Sequence, residues 1–356
     1  MRMRIAACVA AVSGCADRAA GFPGTDDEGV PAPAPWTIET VAGIPMVGLP
    51  SIAVDELGVV HLSYSDSTDL WYAARSRAGT WTTTRIAAAL WNDIAVDASG
   101  GVHVAFKVSR DGESDLAYAH KPPDGDWTIT AVHSAGGGTA SLALDARGGV
   151  HVTHQGFSVG PFMYSVLLPG DAWRTTTVDG YGFMSSLAID ADGGPHVTYW
   201  NPELHLGYAR QRTDGKWTVE EIDTQGNVGW HSSLAIDVSG RLHVACLRGG
   251  AEEVVYAQGP PWSFEVIDTG GGFYLPSIAV DDRGVDVTYW ELEGWRLNHA
   301  RRPVGGSWTI ETIATNAGEL TDMTKDACGC LHVGYLWTDM SDPESSREIR
   351  YGRSCP

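Results

Sequence analysis

Seven tryptophans divide the chain into units of nearly equal length. They stand 44 to 46 residues apart and each opens a short run such as WTIETV or WTVEEI; they are Trp36, Trp81, Trp127, Trp173, Trp217, Trp262 and Trp308. A repeat of about 45 residues that contains several short strands is typical of a β-propeller blade. This repeat constrains the fold more than any other feature of the sequence.

Each unit predicts four strands, which we name A to D. Strand A reads like SIAVD, strand B like VHVTY, strand C like LGYA, and strand D begins at the tryptophan. Strands A, B and C occur seven times, but no tryptophan-led strand follows the last strand C, IRYG. The segment 36–42 is therefore predicted to supply the missing strand and to close the ring without an open edge. The expected fold is all-β: a seven-bladed β-propeller over residues 36–356, with four antiparallel strands per blade.

The N-terminus predicts export. Two arginines precede a short apolar run and then Val12-Ser13-Gly14-Cys15, which resembles a bacterial lipoprotein signal. The resemblance implies a signal peptide over 1–14, a lipidated Cys15, a flexible tether over 15–35, and a membrane-anchored protein in the periplasm or at the cell surface. A plain secretory signal is the alternative.

The net charge of −20 bears on the choice of partner. An acidic surface repels phosphate backbones, so nucleic acid is excluded as a partner. The expected partner is a glycan or a cell-surface protein, with membrane contact only through the lipid anchor.

An Asp and a His recur six residues apart around the A–B turns. The His is present in six blades, and blade six carries Asp286 in its place. We interpret the pair as structural, with each His bonded to the Asp of its own turn. No metal and no cofactor are predicted.

The C–D turns read AGTW, DGDW, DGKW and GGSW. Here the sequence resembles the bacterial neuraminidase repeat (Asp-box) propellers. The resemblance implies the fold but not sialidase activity, because the arginines sit mostly at the wrong end of the strands and no FRIP-like start is present.

Function is expected where the blades differ, in the D–A and B–C connections. Aromatic and polar side chains there suit stacking on sugar rings, although protein interfaces use the same residues. The predicted ligand-binding residues are Trp91, Tyr181, Trp200, His205, Trp230, His231, Tyr274, Trp290, Trp295 and Trp337.

A carbohydrate-active enzyme is the alternative. His154 with Tyr181, Tyr199 and Lys107 could perform the β-elimination of a polysaccharide lyase, and Glu203 with Glu291 could flank a glycosidic bond. Neither set has a diagnostic spacing, and binding is favoured over catalysis.

Several residues depart from the repeat. His154 and Cys246 replace an aromatic residue of strand B, His299 replaces the Tyr of strand C, and Lys325 replaces an apolar residue of strand A. Lys325 is expected to pair with a carboxylate, the alternative being a ligand group in the channel.

Three cysteines are placed to form a disulfide near the C-terminus. Cys328 and Cys330 bracket the last A–B turn, and Cys355 follows the last strand. Either Cys330–Cys355 or Cys328–Cys355 is expected, with a zinc site as the rival.

Overall fold

The computed structural model describes residues 35–44, 50–110, 113–134, 139–155, 160–224, 228–249, 252–270, 275–339 and 346–356. The predicted signal peptide, Cys15 and nearly all of the tether lie outside these residues. Within them the chain forms 28 strands. The first fourteen are β1 (Thr37–Ile44), β2 (Ser51–Val54), β3 (Val60–Ser65), β4 (Leu70–Arg75), β5 (Trp81–Ala87), β6 (Leu90–Val96), β7 (Val102–Arg110), β8 (Glu113–Lys121), β9 (Thr128–His133), β10 (Ala140–Leu144), β11 (Val150–Gln155), β12 (Phe162–Leu167), β13 (Arg174–Asp179) and β14 (Phe183–Ile189). The others are β15 (Pro195–Trp200), β16 (Leu206–Gln211), β17 (Trp217–Asp223), β18 (Val228–Ile236), β19 (Leu242–Arg248), β20 (Glu253–Gly259), β21 (Ser263–Thr269), β22 (Ser277–Asp281), β23 (Gly284–Glu291), β24 (Arg296–Pro303), β25 (Thr309–Thr315), β26 (Ala317–Lys325), β27 (Leu331–Thr338) and β28 (Arg347–Ser354).

The strands form seven antiparallel sheets of four. Six sheets follow chain order, from β2-β3-β4-β5 to β22-β23-β24-β25, and the seventh has the order β1-β28-β27-β26. In that sheet Ile38 pairs with Gly352 and Glu39 with Tyr351. The predicted seven-bladed β-propeller, closed by its N-terminal strand, is confirmed.

The C-terminus is also tied covalently. Cys355 forms a disulfide with Cys330 in the A–B turn of blade seven. The last strand is therefore held by β1 on one side, by β27 on the other, and by a cross-link at its end.

Aromatic side chains pack against each other across the boundaries between neighbouring blades. In six blades the strand-D Trp meets the strand-C Tyr of the preceding blade edge-on, at ring-centroid distances of 5.2–5.6 Å; the pairs are Trp81–Tyr351, Trp127–Tyr72, Trp173–Tyr118, Trp217–Tyr164, Trp262–Tyr208 and Trp308–Tyr256. In the closing blade, Trp36 meets His299 at 5.6 Å. Each pair lies at the edge of an apolar cluster between two blades, which explains the recurring tryptophan.

The A strands line the centre, where each contacts the A strand of the next blade around a closed ring. A side-chain oxygen at the equivalent repeat position of each A strand accepts a hydrogen bond from a backbone N–H of the next blade, at 2.7–3.3 Å. The acceptor–donor pairs are Ser51–Ile94, Asp93–Leu142, Ser141–Leu187, Ser186–Leu234, Ser233–Ile278, Ser277–Met323 and Asp322–Ile52. This inner hydrogen-bond ring joins all seven blades.

Candidate functional site

The recurring Asp and His form a triad with the Tyr of strand C. In blades two, three, four, five and seven, His Nε2 lies 3.1–3.2 Å from the turn Asp, and Nδ1 lies 2.6–2.7 Å from the Tyr hydroxyl. Because a carboxylate only accepts, Nε2 donates to it and Nδ1 accepts from the hydroxyl. We call this arrangement the Asp–His–Tyr triad. Its repetition supports the structural interpretation.

Blade six replaces the triad by an ionic network. Asp286 lies 2.7 Å from His299 Nε2 and 2.5 Å from Lys325 Nζ, which reaches across from blade seven and also lies 3.1 Å from Asp281. His299 Nδ1 lies 2.9 Å from Glu311, which accepts a bond from the indole of Trp36. Burial opposes a charge on His299, but the bonds to Asp286 and Glu311 outweigh it and raise its pKa. Lys325 therefore pairs with carboxylates, and three departures from the repeat belong to one network.

We call the end of the blades that carries the B–C and D–A connections the loop face, and the end that carries the A–B and C–D turns the turn face. The inner strands of blades two, four, five and seven have irregular register at their loop-face ends. Trp91 and His231 lie at two of these irregularities with left-handed backbones, φ 51° and 57°. Bulges of this kind re-aim side chains, and left-handed non-glycine residues persist only where the surroundings impose them.

Three predicted tryptophans converge on Ala317 at the junction of blades six and seven. Trp290 is 2% exposed and its indole N–H donates to the Ala317 carbonyl at 3.0 Å. The ring of Trp295 meets that of Trp290 edge-on at 5.4 Å, and its carbonyl accepts from the Ala317 N–H at 3.0 Å. Trp337 lies opposite Ala317 in the sheet. We call Trp290, Trp295 and Trp337 the blade 6–7 tryptophan cluster.

Trp290 is the buried support of this cluster, while Trp295 and Trp337 are partly exposed. The Arg350 guanidinium stacks over Trp337 at 3.7 Å from the ring centroid, and its Nε donates to Glu348 at 2.8 Å. Sequence analysis missed Arg350. The register of β27 with β28, which sets it opposite Tyr335, could have suggested it.

The other binding candidates are spread over the loop face. Trp200 and His205 are partly exposed at the B–C connection of blade four, where His205 Nδ1 lies 3.3 Å from Glu221. Tyr181 is partly exposed and His231 is 2% exposed. The side chain of Trp230 and the whole of Tyr274 lie outside the described residues.

Three of the six catalytic candidates, His154, Tyr199 and Glu291, are buried. His154 is fully buried, lies 3.0 Å from the Ser165 hydroxyl and faces His133 at a ring distance of 5.3 Å. Burial, aided by His133, lowers the pKa of His154 to about 3. Such an imidazole stays neutral, and its side chain is 0% exposed.

The remaining catalytic candidates are engaged or dispersed. Tyr199 is buried and donates to Asp179 at 2.7 Å. Glu291 is 6% exposed and lies 2.6 Å from Arg296 Nε. Lys107 is partly exposed and Glu203 is exposed. Across the described part of the chain, no hydrogen bond or ion pair links any two of the six candidates.

No family model matches the sequence, and no curated protein matches it. Several solved structures have a fold similar to that of this chain. An ulvan lyase bound to -[GlcA(1-4)Rha3S]-, described as a new family of polysaccharide lyase, has a TM-score of 0.60 at 12% identity, over 87% of this chain and 94% of that one. The Staphylococcus aureus virginiamycin B lyase with quinupristin has a TM-score of 0.60 at 11% identity, over 90% and 99%.

A third neighbour is a lectin. The Aleuria aurantia lectin in complex with Fucalpha1-6GlcNAc has a TM-score of 0.52 at 13% identity, over 75% of this chain and 95% of that one. At these identities the likeness establishes the fold alone. Membership of the neuraminidase-repeat family stays a prediction. None of the described residues forms a helix long and apolar enough to cross a membrane.

Proposed function

We propose that this protein is an exported, lipid-anchored binding protein that recognises carbohydrate on its loop face, principally through the blade 6–7 tryptophan cluster. The observation that carries the proposal is the edge-on contact of the buried indole of Trp290 with the partly exposed ring of Trp295, next to the partly exposed Trp337 opposite Ala317. A partly exposed indole that packs against a buried one offers an apolar surface to the C–H groups of a sugar. Lectins and a polysaccharide lyase among the structural neighbours agree with this proposal.

The charges around the cluster favour a neutral sugar. Arg350 is paired with Glu348, and Arg296 is paired with Glu291. These guanidinium groups can still donate hydrogen bonds to hydroxyls, but their charge is already balanced. A polyanionic ligand would also be repelled by the net charge of −20.

Binding is a better proposal than catalysis because two of the candidate bases, His154 and Glu291, are buried. A general base must reach the proton that it abstracts, whereas His154 is enclosed and Glu291 is held by Arg296. Polysaccharide lyase activity is the alternative function. It would release unsaturated product from a polyuronate, detected by absorbance, and His154→Ala would abolish that signal.

A glycan array probed with the mature protein tests the proposal. Trp337→Ala and Trp295→Ala should each weaken binding to the best neutral glycan by roughly 10-fold or more, equivalent to about 1.4 kcal/mol. Phe264→Ala is the matched control, because Phe264 is 40% exposed on the outer strand β21, away from the cluster, and should leave the affinity unchanged. Equal affinity in all three variants, or binding to a cell-surface protein instead of any glycan, would contradict the proposal.

A further inference from the structure

Blade two differs from the other blades on its turn face. In each blade the residue opposite the strand-B His, or opposite Asp286 in blade six, belongs to strand C. That residue is Ala74, Val166, Arg210, Gln258, Arg301 or Arg353 in six blades and His120 in blade two. Residues directly opposite each other in an antiparallel pair share one side of the sheet. An Asp–His–Tyr triad therefore gains a second imidazole in blade two.

The three side chains lie close together. His103 Nε2 is 3.1 Å from Asp97 Oδ2, and the His103 and His120 ring centroids are 4.6 Å apart. One ligand atom from each of Asp97, His103 and His120 falls within 4.8 Å of the other two, and no other trio of His, Cys, Asp or Glu in the described ranges does so. From this geometry we propose that Asp97, His103 and His120 bind a late first-row divalent cation such as Zn²⁺.

The donor atoms fit such an ion. Zn²⁺ binds imidazole nitrogen and carboxylate oxygen at about 2.1 Å, so two ligand atoms 3.1 Å apart subtend an angle of about 95° at the ion. Asp97 and His103 can therefore share an ion without moving apart. His120 is partly exposed, and a rotation that brings its ligand nitrogen closer by up to about 1.4 Å completes a set of three protein ligands, with water in the open position.

The surroundings hold the ligands in place. Asp97 Oδ1 accepts bonds from Ser99 and Gly101, which leaves Oδ2 for the ion.

Metal binding also preserves the bond to Tyr118. His103 now carries its proton on Nε2; when Nε2 binds the ion, the proton resides on Nδ1 and is donated to the Tyr118 hydroxyl, 2.6 Å away. The imidazole stays neutral, as a ligand must. A second-shell partner that fixes the tautomer is a regular feature of metal-binding histidines.

The test is a calorimetric titration of the metal-stripped full chain with ZnCl₂ at neutral pH, with Co²⁺ absorption as a second readout. The wild type should bind one equivalent, and His120→Ala should lose more than about 100-fold in affinity, since removal of a direct ligand exceeds the loss of a second-shell partner. Because His120 is partly exposed, its removal should leave the thermal unfolding of the metal-free protein unchanged.

Two further variants locate the site. His205→Ala removes a partly exposed histidine of the loop face and should leave binding intact. Val166→His places an imidazole opposite His151, which lies 3.2 Å from Asp145, and should add a second equivalent. Failure of the wild type to bind, retention of full affinity in His120→Ala, loss of binding in His205→Ala, or no second equivalent in Val166→His would each overturn the proposal.

Discussion

Replacing Asp93 by Ser should stabilise the protein at pH 8 and not at pH 4. Asp93 and Asp322 flank Ser51 in the inner hydrogen-bond ring, and the Ser51 hydroxyl lies 2.8 and 3.0 Å from their carboxylates. One hydroxyl proton cannot serve both acceptors at once. Burial, and next the charge of Asp322, raise the pKa of Asp93 from 3.8 to about 6.

The raised pKa of Asp93 determines how the stability of the protein changes with pH. The folded protein holds the proton of Asp93 more tightly than the unfolded chain does. Its free energy of unfolding therefore falls as the pH rises from 3.8 to 6, and the whole loss is present above pH 6. A shift of about two pH units corresponds to about 3 kcal/mol, an upper figure because the carboxylate is not fully enclosed.

Serine is the natural replacement. In five other blades a serine hydroxyl accepts the same inter-blade hydrogen bond, so Asp93→Ser keeps the bond from Leu142 and removes only the charge. Urea unfolding of variant and wild type at pH 4 and pH 8 measures the difference, and the titration of groups other than Asp93 and its neighbour Asp322 cancels between the two proteins. We expect the variant to gain about 1–3 kcal/mol at pH 8 relative to pH 4.

Two control experiments distinguish the effect of the Asp93 charge from other effects of the substitution. Asp282→Ser removes an exposed carboxylate and should not change the difference between the two pH values. Asp93→Ser combined with Asp322→Ser should gain less than the sum of the single variants, because each removes the same repulsion. A stability difference for Asp93→Ser that is equal at pH 4 and pH 8 would refute the reasoning.

Two other predictions concern the blade-six network and the N-terminus. Lys325→Met leaves Asp286, which is 2% exposed, without its ammonium partner and should lower the free energy of unfolding by about 3 kcal/mol; an unchanged urea midpoint would contradict this. Cys15→Ser should release the protein from the membrane fraction and remove acyl chains from its mass spectrum, whereas membrane retention of the variant would contradict lipidation.

The closure of the ring could be predicted because it follows from counting strands. The strand D that begins at Trp36 is not preceded by strands A, B and C of its own repeat, and strand C of blade seven is not followed by a strand D. The ionic network could not be predicted in the same way. Lys325, Asp286 and His299 each stood out in the repeat, but only the packing of blade six against blade seven brings the three together.

The sequence predicted which face of the propeller carries the candidate site. It did not predict how the side chains of that site are arranged. Trp290 and Trp295 were both expected to bind ligand, yet the fold buries the first and leaves the second partly exposed. Connections of variable length carry these residues, so the repeat does not fix their directions. His120 was overlooked for another reason: as a single departure in strand C it becomes notable only once the register sets it opposite His103.

The pairing of β1 with β28 sets the order in which the molecule can be completed. The first strand to leave a ribosome or a translocation channel must wait for the last one, since their paired residues lie 316 positions apart at Thr37 and Arg353. Until then β1 has no edge to join, and blade seven lacks its outer strand. A chain of this design can close its ring only after its final residues have been synthesised and released, so a stalled or truncated copy stays open and is exposed to proteases and chaperones.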